Sequence, residues 1–483
     1  MAIVEAPKQF PTRLFIAGEF VDAADKRTYD SLNPATEDVI APIACAGKAD
    51  LEAAVAAARK SQPEWAALPP ARRSSLIWKI GDEIMKRRHE FAALEAMDSG
   101  KPYKECHDID VPMAADHFKY FAGVLRSLQG DTIPVNDNLF VYTLREPLGI
   151  VAGITPWNFP LLMAARKVAP AIAAGNAVIL KPANPTPLTA LLLAECIQAA
   201  KLPPGVVAVL PGKGSEVGQL IVEHPESAAI SFTGSTSVGV KMVRDAAPSL
   251  KKLTMELGGK SPNVVFADAD IETAVKGAQA AIFYNKGEVC TAGSRLFVEE
   301  KVHDEVVEKL AARAAKMKGS NPLDDECRYG PQNNKQQFDT TLKYIEAGKK
   351  EGARLVAGGA RMGDKGYFVA PTVFADVKPE MTIAREEIFG PVLAVQKFSG
   401  FEELVEKANA SEYGLAAGVW TRDVSKAHKY AKAVKAGAVW VNCYNWYDSA
   451  VPYGGYKASG YGREMGLQGL LAMTQSKSVW VQL

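Results

Sequence analysis

The sequence lacks any apolar run long enough to cross a membrane. A spanning helix needs about 18 apolar residues in a row, whereas the longest candidates, 168–180 and 188–200, are interrupted by Asn176 and Glu195. Met1–Arg13 contains proline and charges but no apolar core like that of a signal peptide. We therefore expect a protein of the cytoplasm with no membrane partner.

Paired cysteines and a charge imbalance are also missing. No CxxC pair occurs, so free thiols are expected rather than disulfides or zinc ligands, and the six cysteines are Cys45, Cys106, Cys196, Cys290, Cys327 and Cys443. A net charge of +1 provides no field that would attract nucleic acid. We expect neither a metal ion nor a nucleic-acid partner.

The length allows two or three domains. The chain has 483 residues, and a domain takes roughly 100–200. Its 48% hydrophobic and 23% charged residues are ordinary for globular proteins. A chain of this size can bury a large core without disulfides.

Residues 148–266 alternate short apolar runs with amphipathic segments of helix length. Such alternation predicts an α/β fold with a parallel sheet, helices on both faces and ligands at the carboxyl ends of the strands. The predicted strands are 150–154, 178–180, 206–210, 229–232, 253–256 and 263–266. The predicted helices are 161–173, 187–201, 215–223 and 238–245.

Helical periodicity recurs outside this stretch. Residues 50–68 predict a helix with Asp50 as the N-cap. A second α/β region follows over about 257–440, with predicted helices at 302–317 and 401–408.

Two further segments resemble strands, the tail 476–483 and residues 132–143, with Pro134 and Asn136–Asp137 as breakers. They lie far apart in the chain and could pair into a small third element. Exposed strand edges invite another subunit; the alternative is two ordinary edge strands of one monomer.

Three short segments each place one polar residue at a strand end or in a loop. These are Asn158 in TPWNFP, Glu256 in MELGGK and Cys290 in GEVCTAG. Taken alone, each has an ordinary explanation, since a cysteine is more often a small buried apolar residue than a nucleophile. Together they are typical of an active site in an open α/β sheet.

With these segments the chain resembles the aldehyde dehydrogenase superfamily over nearly its whole length. The motifs are TPWNFP (155–160), ILKP (179–182), FTGST (232–236), MELGGK (255–260), the Cys290 loop, EEIFGP (386–391) and PYGGYKASGYGRE (452–464). The resemblance implies a Rossmann-like NAD(P) domain, an α/β catalytic domain and a β oligomerisation arm. It also implies a homodimer or a homotetramer.

The expected boundaries follow from this resemblance. The NAD(P)-binding domain takes 1–128 and 148–256, and the catalytic domain takes 257–440. Residues 441–473 return toward the cofactor domain, and the arm takes 129–147 and 474–483.

The resemblance also implies a thioester mechanism. A thiolate is a strong nucleophile and later a good leaving group, so Cys290 would attack the aldehyde carbon. The Asn158 amide and the backbone N–H of Cys290 would stabilise the resulting oxyanion, and Glu256 would activate the hydrolytic water. Lys167 and Glu464 are expected beside this site as a proton relay.

The cofactor side is recognisable in FTGST, where a strand end meets a helix N-terminus that favours phosphate. The segment 212–218 resembles a dinucleotide fingerprint but is one residue too long between its last glycines. The expected cofactor residues are Ile154, Thr155, Pro156, Trp157, Lys181, Ala183, Asn184, Gly214, Gly218, Phe232, Thr233, Gly234, Ser235, Val238, Leu257, Gly258, Glu387 and Phe389.

One departure concerns the choice of cofactor. NAD-preferring relatives often carry a glutamate where this chain has Asn184. A carboxylate would repel a 2′-phosphate, and Lys181 and Lys213 could attract one, so we expect NADP to be accepted as well as NAD. Plain NAD use is the alternative.

The expected substrate residues are Phe159, Met163, Arg166, Tyr284, Val289, Thr291, Tyr447 and Tyr453. Their aromatic character predicts an aromatic or medium-chain aldehyde. Semialdehyde dehydrogenases have an arginine at Arg166 that holds the substrate carboxylate, but they pair it with a second arginine where this chain has Tyr284. Arg166 could instead bond the protein's own backbone. Glu288, where relatives often have glutamine, is expected to be a surface position without a role.

Two other functions are alternatives to this interpretation. The acylating branch of the superfamily passes the acyl group to coenzyme A and typically lacks the glutamate, so Glu256 argues against it. A non-catalytic binding protein could reuse the fold, but it would have little need for Cys290, Asn158 and Glu256 together.

Overall fold

The computed structural model describes residues 3–483, and the strands in this range form two large and three small sheets. The largest has eight strands in the order β2 (Glu19–Val21), β1 (Leu14–Ile16), β9 (Val207–Val209), β8 (Ala177–Lys181), β7 (Ile150–Ile154), β10 (Ser227–Thr233), β11 (Lys252–Glu256) and β21 (Gly460–Tyr461). Its five central strands, which are β9, β8, β7, β10 and β11, run parallel to one another.

These five strands have the strand order of a Rossmann-like sheet. The chain runs outward from β7 through β8 to β9, then returns to β10 and β11 on the other side of β7. Ligands bind at the carboxyl ends of strands where the order reverses, here between β7 and β10. That edge places Thr155–Asn158 beside Gly234 and Ser235, because Ile154 and Phe232 are partners in register.

The second sheet has seven strands in the order β14 (Arg354–Ala357), β15 (Thr372–Ala375), β16 (Val392–Phe398), β13 (Arg295–Glu299), β12 (Pro262–Val265), β18 (Ala416–Trp420) and β19 (Ala438–Val441). All but β14 run parallel. The predicted strand 263–266 therefore exists, but it belongs to this second sheet.

Helices cover both large sheets. They are α1 (Lys48–Ala67), α2 (Pro70–Lys86), α3 (Arg88–Ser99), α4 (Tyr103–Glu105), α5 (Val111–Val124), α6 (Pro160–Ala173), α7 (Leu188–Ala199), α8 (Gln219–Glu223), α9 (Thr236–Ala246), α10 (Ile271–Phe283), α11 (His303–Ala314), α12 (Lys335–Lys350), α13 (Thr382–Arg385), α14 (Phe401–Asn409), α15 (Val424–Ala433) and α16 (Gly466–Ala472). In residues 3–483, none of them has the length and apolar character of a membrane span.

The predicted helices are confirmed to within a few residues, but the cap of α1 is wrong. Gly47 is the N-cap, and Asp50 lies inside the first turn. The Asp50 carboxylate accepts hydrogen bonds from the N–H groups of Gly47 at 2.8 Å and Ala24 at 2.9 Å. An acidic side chain in the first turn satisfies such unpaired N–H groups from inside the helix.

The remaining strands form small sheets. β22 (Thr474–Gln482) pairs along its whole length with β6 (Leu139–Pro147), which also pairs with β5 (Thr132–Asn136). The pairing of the two distant segments is thus confirmed. Pro134 lies inside the outer strand β5, where its missing N–H is tolerated. The pairing with β6 nevertheless shifts register between Ile133 and Asn136, so the regular ladder is interrupted there as predicted. The two-stranded sheets are β3 (Thr28–Leu32) with β4 (Val39–Ala44), and β17 (Tyr413–Gly414) with β20 (Tyr456–Lys457).

Candidate active site

Two cavities meet at Cys290. The first has a volume of about 350 Å³ and lies at the carboxyl edge of the larger sheet. The second, of about 190 Å³, lies between α5, α6 and the loop that precedes β13. Cys290, Phe159 and Met163 line both cavities, so a molecule in either one can reach the sulfur.

The Cys290 thiol lies in a low-polarity environment. Burial raises its pKa to about 11, although the Tyr453 hydroxyl and the Arg166 cation oppose this shift. The sulfur and the Tyr453 hydroxyl oxygen are 3.2 Å apart. At neutral pH the resting cysteine is therefore a protonated thiol that needs activation before it can attack.

Asn158 also faces the first cavity. Its side-chain nitrogen donates to the carbonyl of Glu288, two residues before Cys290, at 2.8 Å. Among residues 3–483, this is the only hydrogen bond that the nitrogen donates, which leaves its second hydrogen free for a ligand. An amide donor beside a nucleophilic sulfur is the arrangement that an oxyanion requires.

Glu256, the last residue of β11, is buried but lines neither cavity. Both of its carboxyl oxygens lack a hydrogen-bond partner within residues 3–483. Burial raises its pKa well above the ordinary value, and the neighbouring Glu464 adds to this shift. Burial therefore favours the neutral form of this carboxyl group.

A buried ion pair lies beside Glu256. The Lys167 ammonium is 2.5 Å from a Glu464 carboxylate oxygen, and it also donates to the hydroxyls of Thr233 and Ser231. Although burial opposes ionisation, Lys167 and Arg166 hold the pKa of Glu464 below its usual value. The two predicted relay residues, Lys167 and Glu464, thus form one buried ion pair.

The predicted cofactor residues gather at the carboxyl edge of the larger sheet. Those that line the first cavity are Pro156, Trp157, Thr233, Gly234, Ser235, Leu257, Gly258, Glu387 and Phe389. Ile154, Lys181 and Phe232 end or nearly end three neighbouring strands, and Thr155 follows the first of these. Beyond them, Ala183 and Asn184 follow β8, Gly214 and Gly218 bound a π-helical turn, and Val238 lies in the first turn of α9.

Several local contacts at this edge of the sheet are suited to binding a dinucleotide. Ser235 caps α9, whose N-terminus opens toward the first cavity, and such a helix end favours phosphate. A Cβ on Gly258 would lie 2.2 Å from a carboxylate oxygen of Glu387, so only glycine leaves that carboxylate in place. The Phe389 ring packs edge-to-face on Trp157 at 5.2 Å, which gives the cavity an aromatic wall.

The second cavity contains the predicted substrate residues with one exception. Thr291 is fully buried behind the wall, and its hydroxyl contacts the Tyr447 hydroxyl at 2.6 Å. The prediction that Thr291 lines the tunnel is therefore wrong. The pattern also missed lining residues on helices and loops outside the motifs, namely Ile109, Asp110, Met113, Leu162, Ala280 and Asn445.

Arg166 is a buried cation that forms no salt bridge within residues 3–483, although it is near enough to Glu464 to lower the pKa of that carboxyl group. It is 5% exposed, its guanidinium lies 4.9 Å from the centre of the Tyr453 ring, and its Nε has no hydrogen-bond partner in residues 3–483. The alternative that Arg166 bonds the backbone is therefore wrong. Its guanidinium instead lines the second cavity.

The expectation for Glu288 is also wrong. Its side chain is completely buried and lies 3.0 Å from the Lys286 ammonium. A carboxylate at such a depth needs a charged partner, so this position is structural rather than a tolerated surface change.

A buried acidic cluster at the wall of the second cavity does not resemble a metal site. Glu95, Cys106 and Asp110 bring potential ligand atoms together. The Lys101 ammonium forms an ion pair with Asp110 and lies 3.7 Å from Glu95. This ammonium already supplies the positive charge that a metal ion would bring.

Comparison with known proteins agrees with this geometry. Residues 20–479 match the family described as "Aldehyde dehydrogenase family". The mitochondrial aldehyde dehydrogenase of Rattus norvegicus is 45% identical over 483 residues, which is 99% of this chain and 93% of that protein. The DhaS protein of Bacillus subtilis (strain 168) is 48% identical over 473 residues, with 98% and 96% covered.

The chain belongs to the aldehyde dehydrogenase family. Its fold is also that of a solved aldehyde dehydrogenase from Bacillus cereus in complex with NAD+, with a TM-score of 0.99, 46% identity and full coverage of both chains. It is therefore an enzyme that oxidises aldehydes, built on a Rossmann-like sheet and a second α/β unit.

The hydroxyl of Tyr453 should make the thiol more acidic. Tyr453→Phe removes a hydrogen bond that stabilises the thiolate, so the pKa of Cys290 should rise and less thiolate should be present at pH 8. Iodoacetamide should then modify Cys290 roughly tenfold more slowly, which is the effect of one pKa unit. Mass spectrometry of the Cys290 peptide measures the rate, and Tyr447→Phe, whose hydroxyl contacts Thr291 instead, is the control. Equal rates in wild type and Tyr453→Phe would contradict this role.

Proposed function

We propose that the protein oxidises an aldehyde to the carboxylic acid with NAD(P)+ through a thioester on Cys290. The observation that carries the proposal is the position of the sulfur at the junction of the two cavities. A cofactor in the first cavity and an aldehyde in the second would meet only there.

The first step is loss of the Cys290 thiol proton to solvent, followed by attack of the thiolate on the aldehyde carbon. The new carbon–sulfur bond places a negative charge on the former carbonyl oxygen, and the free hydrogen of the Asn158 amide, with the Cys290 N–H, stabilises it. Loss of one such donor typically costs about 10²–10³ in rate. When the oxyanion reforms its carbonyl, the carbon releases hydride, which a nicotinamide held in the first cavity would take up, and the thioester remains on Cys290.

Hydrolysis of the thioester is assigned to Glu256. Its carboxyl group has no hydrogen-bond partner within residues 3–483. Once it has given up its own proton, it can turn toward Cys290 and take a proton from the attacking water. The ion pair of Lys167 and Glu464 lies beside it and provides a route for the proton. The retained glutamate argues against transfer of the acyl group to coenzyme A.

The cofactor proposal is NAD, with NADP also accepted. Relatives of this fold bind NAD+ in solved structures. Lys181 is the last residue of β8, the strand beside β7, and burial lowers its pKa to about 8. Asn184 is half-buried three residues later and brings no negative charge against a 2′-phosphate.

The proposed substrate is an aromatic or medium-chain aldehyde, because the second cavity is walled mainly by Phe159, Tyr284, Tyr447 and Tyr453 with aliphatic neighbours. A semialdehyde is the second candidate, and the unpaired Arg166 guanidinium favours it. A buried charge without a partner is costly, and a substrate carboxylate would neutralise it.

The assembly and domain boundaries stay proposals. The three-stranded sheet of β5, β6 and β22 exposes apolar side chains that a second copy of the chain could cover, namely Ile133, Val135, Phe140, Leu144, Trp480 and Val481. We propose a homodimer or homotetramer with this arm at the interface, NAD(P) binding by 1–128 and 148–256, and catalysis by 257–440. The expected cytoplasmic location stays a prediction, since several relatives are mitochondrial.

Glu256→Gln should separate the two chemical steps. The variant should produce one equivalent of NAD(P)H per active subunit and then stop, because the thioester forms but no base activates water. Stopped-flow absorbance at 340 nm measures the burst, and Cys290→Ala, which should show none, is the control. Because Glu256 acts as a base only when it is deprotonated, the rate of thioester hydrolysis by the wild-type enzyme should also increase as the pH rises. The absence of a burst would mean that Glu256 acts before hydride transfer.

Arg166→Met should distinguish the two substrate classes. If the substrate is apolar, kcat/KM for benzaldehyde should change less than about threefold, because methionine fills similar space. If the substrate is a semialdehyde, kcat/KM for succinate semialdehyde should fall by about 10²-fold, which is near the upper end of the range for a hydrogen bond to a charged group. A preference of the wild type for succinate semialdehyde would reject the aromatic assignment.

Asn184→Glu should reduce the use of NADP. A carboxylate about 4 Å from a phosphate costs about 4 kcal/mol at an effective dielectric constant of 20, so KM for NADP should rise far more than KM for NAD. Steady-state kinetics with both cofactors measure the ratio, and Asn184→Gln is the neutral control. No detectable NADP turnover by the wild type would reject dual use.

A further inference from the structure

The chain just before Cys290 has an unfavourable backbone conformation. Asn285, Lys286 and Gly287 have successive φ values of 44°, 54° and 77°. Glycine adopts this left-handed region freely, but side chains such as those of the first two residues rarely do. A Cβ on Gly287 would also lie 2.3 Å from the carbonyl carbon of Gly390. Such a turn persists only where its surroundings hold it firmly.

An ion pair inside the turn supplies that support. The Lys286 ammonium is 3.0 Å from a Glu288 carboxylate oxygen, and both side chains are completely buried. The ammonium also donates to the carbonyl of Ser99 at 2.8 Å, and the carboxylate accepts the Asn333 N–H at 2.8 Å. The pair therefore joins the turn to α3 and to the segment before α12.

The same turn sets the position of the Asn158 amide. The carbonyl of Glu288 accepts the Asn158 side chain at 2.8 Å. The Asn285 side chain bridges the carbonyls of Asn158 and Glu288, at 2.9 Å and 3.2 Å. A shift of the Glu288 backbone would thus displace the amide that faces the first cavity.

We propose that Lys286 and Glu288 are positioning residues, whose buried ion pair holds the turn so that the Glu288 carbonyl aims the Asn158 amide at the oxyanion on the Cys290 adduct. This inference rests on the proposed function, since it takes Asn158 as the oxyanion donor. Neither side chain lines either cavity, so both act through Asn158 rather than on the substrate.

The test is a set of kcat and KM measurements on the full-length enzyme, with NAD varied at saturating aldehyde. Glu288→Gln leaves Lys286 unpaired, so kcat should fall 10- to 100-fold, the scale on which about 1 Å of misplacement acts. KM for NAD should stay within about threefold, because the cofactor contacts are unchanged. The double variant Lys286→Gln with Glu288→Gln should recover most of the loss, because two amides leave no charge unpaired.

A second cycle separates positioning from a merely structural role. In an Asn158→Ala background, Glu288→Gln should lower kcat by less than about threefold, because the donor that it positions is already gone. Glu346→Gln, which breaks the exposed Lys349–Glu346 pair, is the matched control and should leave kcat unchanged. If Glu288→Gln does not fold, Lys286→Gln takes its place, since the remaining carboxyl can take up a proton.

Three results would overturn the proposal. One is a wild-type kcat in both single variants, another is a loss of kcat that is undiminished in the Asn158→Ala background, and the third is a double variant no better than the worse single one. A wild-type kcat in Asn158→Ala alone would refute the oxyanion role and this inference with it. That failure is recognisable, because only it leaves Asn158→Ala fully active.

Discussion

Two hydrogen bonds join the two halves of the site, one from the Asn158 side chain to the Glu288 carbonyl and one from the Asn285 side chain to the Asn158 carbonyl. Asn158 follows β7 of the larger sheet, whereas Glu288 lies in the loop that leads to β13 of the second sheet. The carboxyl edge of one sheet thus meets a loop at the amino end of the other. If the contact between Asn158 and Glu288 were lost, the Asn158 amide would no longer be fixed in position relative to the Cys290 sulfur, which lines the same cavity.

Burial strongly influences the ionisation of the groups around Cys290. It raises the pKa of Cys290 to about 11 and the pKa of Glu256 well above its usual value. Burial therefore favours the neutral forms of both reacting groups, while Lys167 and Glu464 form an ion pair close by. Because charges interact more strongly where water is excluded, a negative charge that forms on the substrate oxygen gains more from a fixed donor here than it would in water.

Much of this arrangement could be predicted from the sequence, because buried parallel strands appear as short apolar runs and the motifs lie where those strands end. Asn158, Ser235 and Cys290 were found in this way, and the structure places all three on the first cavity. The walls of the second cavity were only partly predictable. Ile109 and Met113 belong to a π-helical turn and to α5, and nothing in their local pattern distinguishes them from ordinary core residues.

The positions of two residues near the site, Glu288 and Thr291, were predicted wrongly for a related reason. Glu288 resembles a surface residue in the sequence, since a carboxylate is seldom fully buried. Its partner Lys286 is only two residues away, yet they face each other because of the left-handed turn between them. Thr291 was assigned to the tunnel by its position next to Cys290, but a hydrogen bond to Tyr447 holds it behind the wall.

The central claim is that the sulfur of Cys290 carries the acyl group during turnover. Rapid acid quenching of the enzyme with NAD and an aldehyde, followed by peptide mass spectrometry, measures this directly. We expect the mass of the acyl group on the peptide that contains Cys290, and its disappearance when the thioester is treated with hydroxylamine. An acyl group on another cysteine, or catalytic turnover without any acylated peptide, would contradict the account.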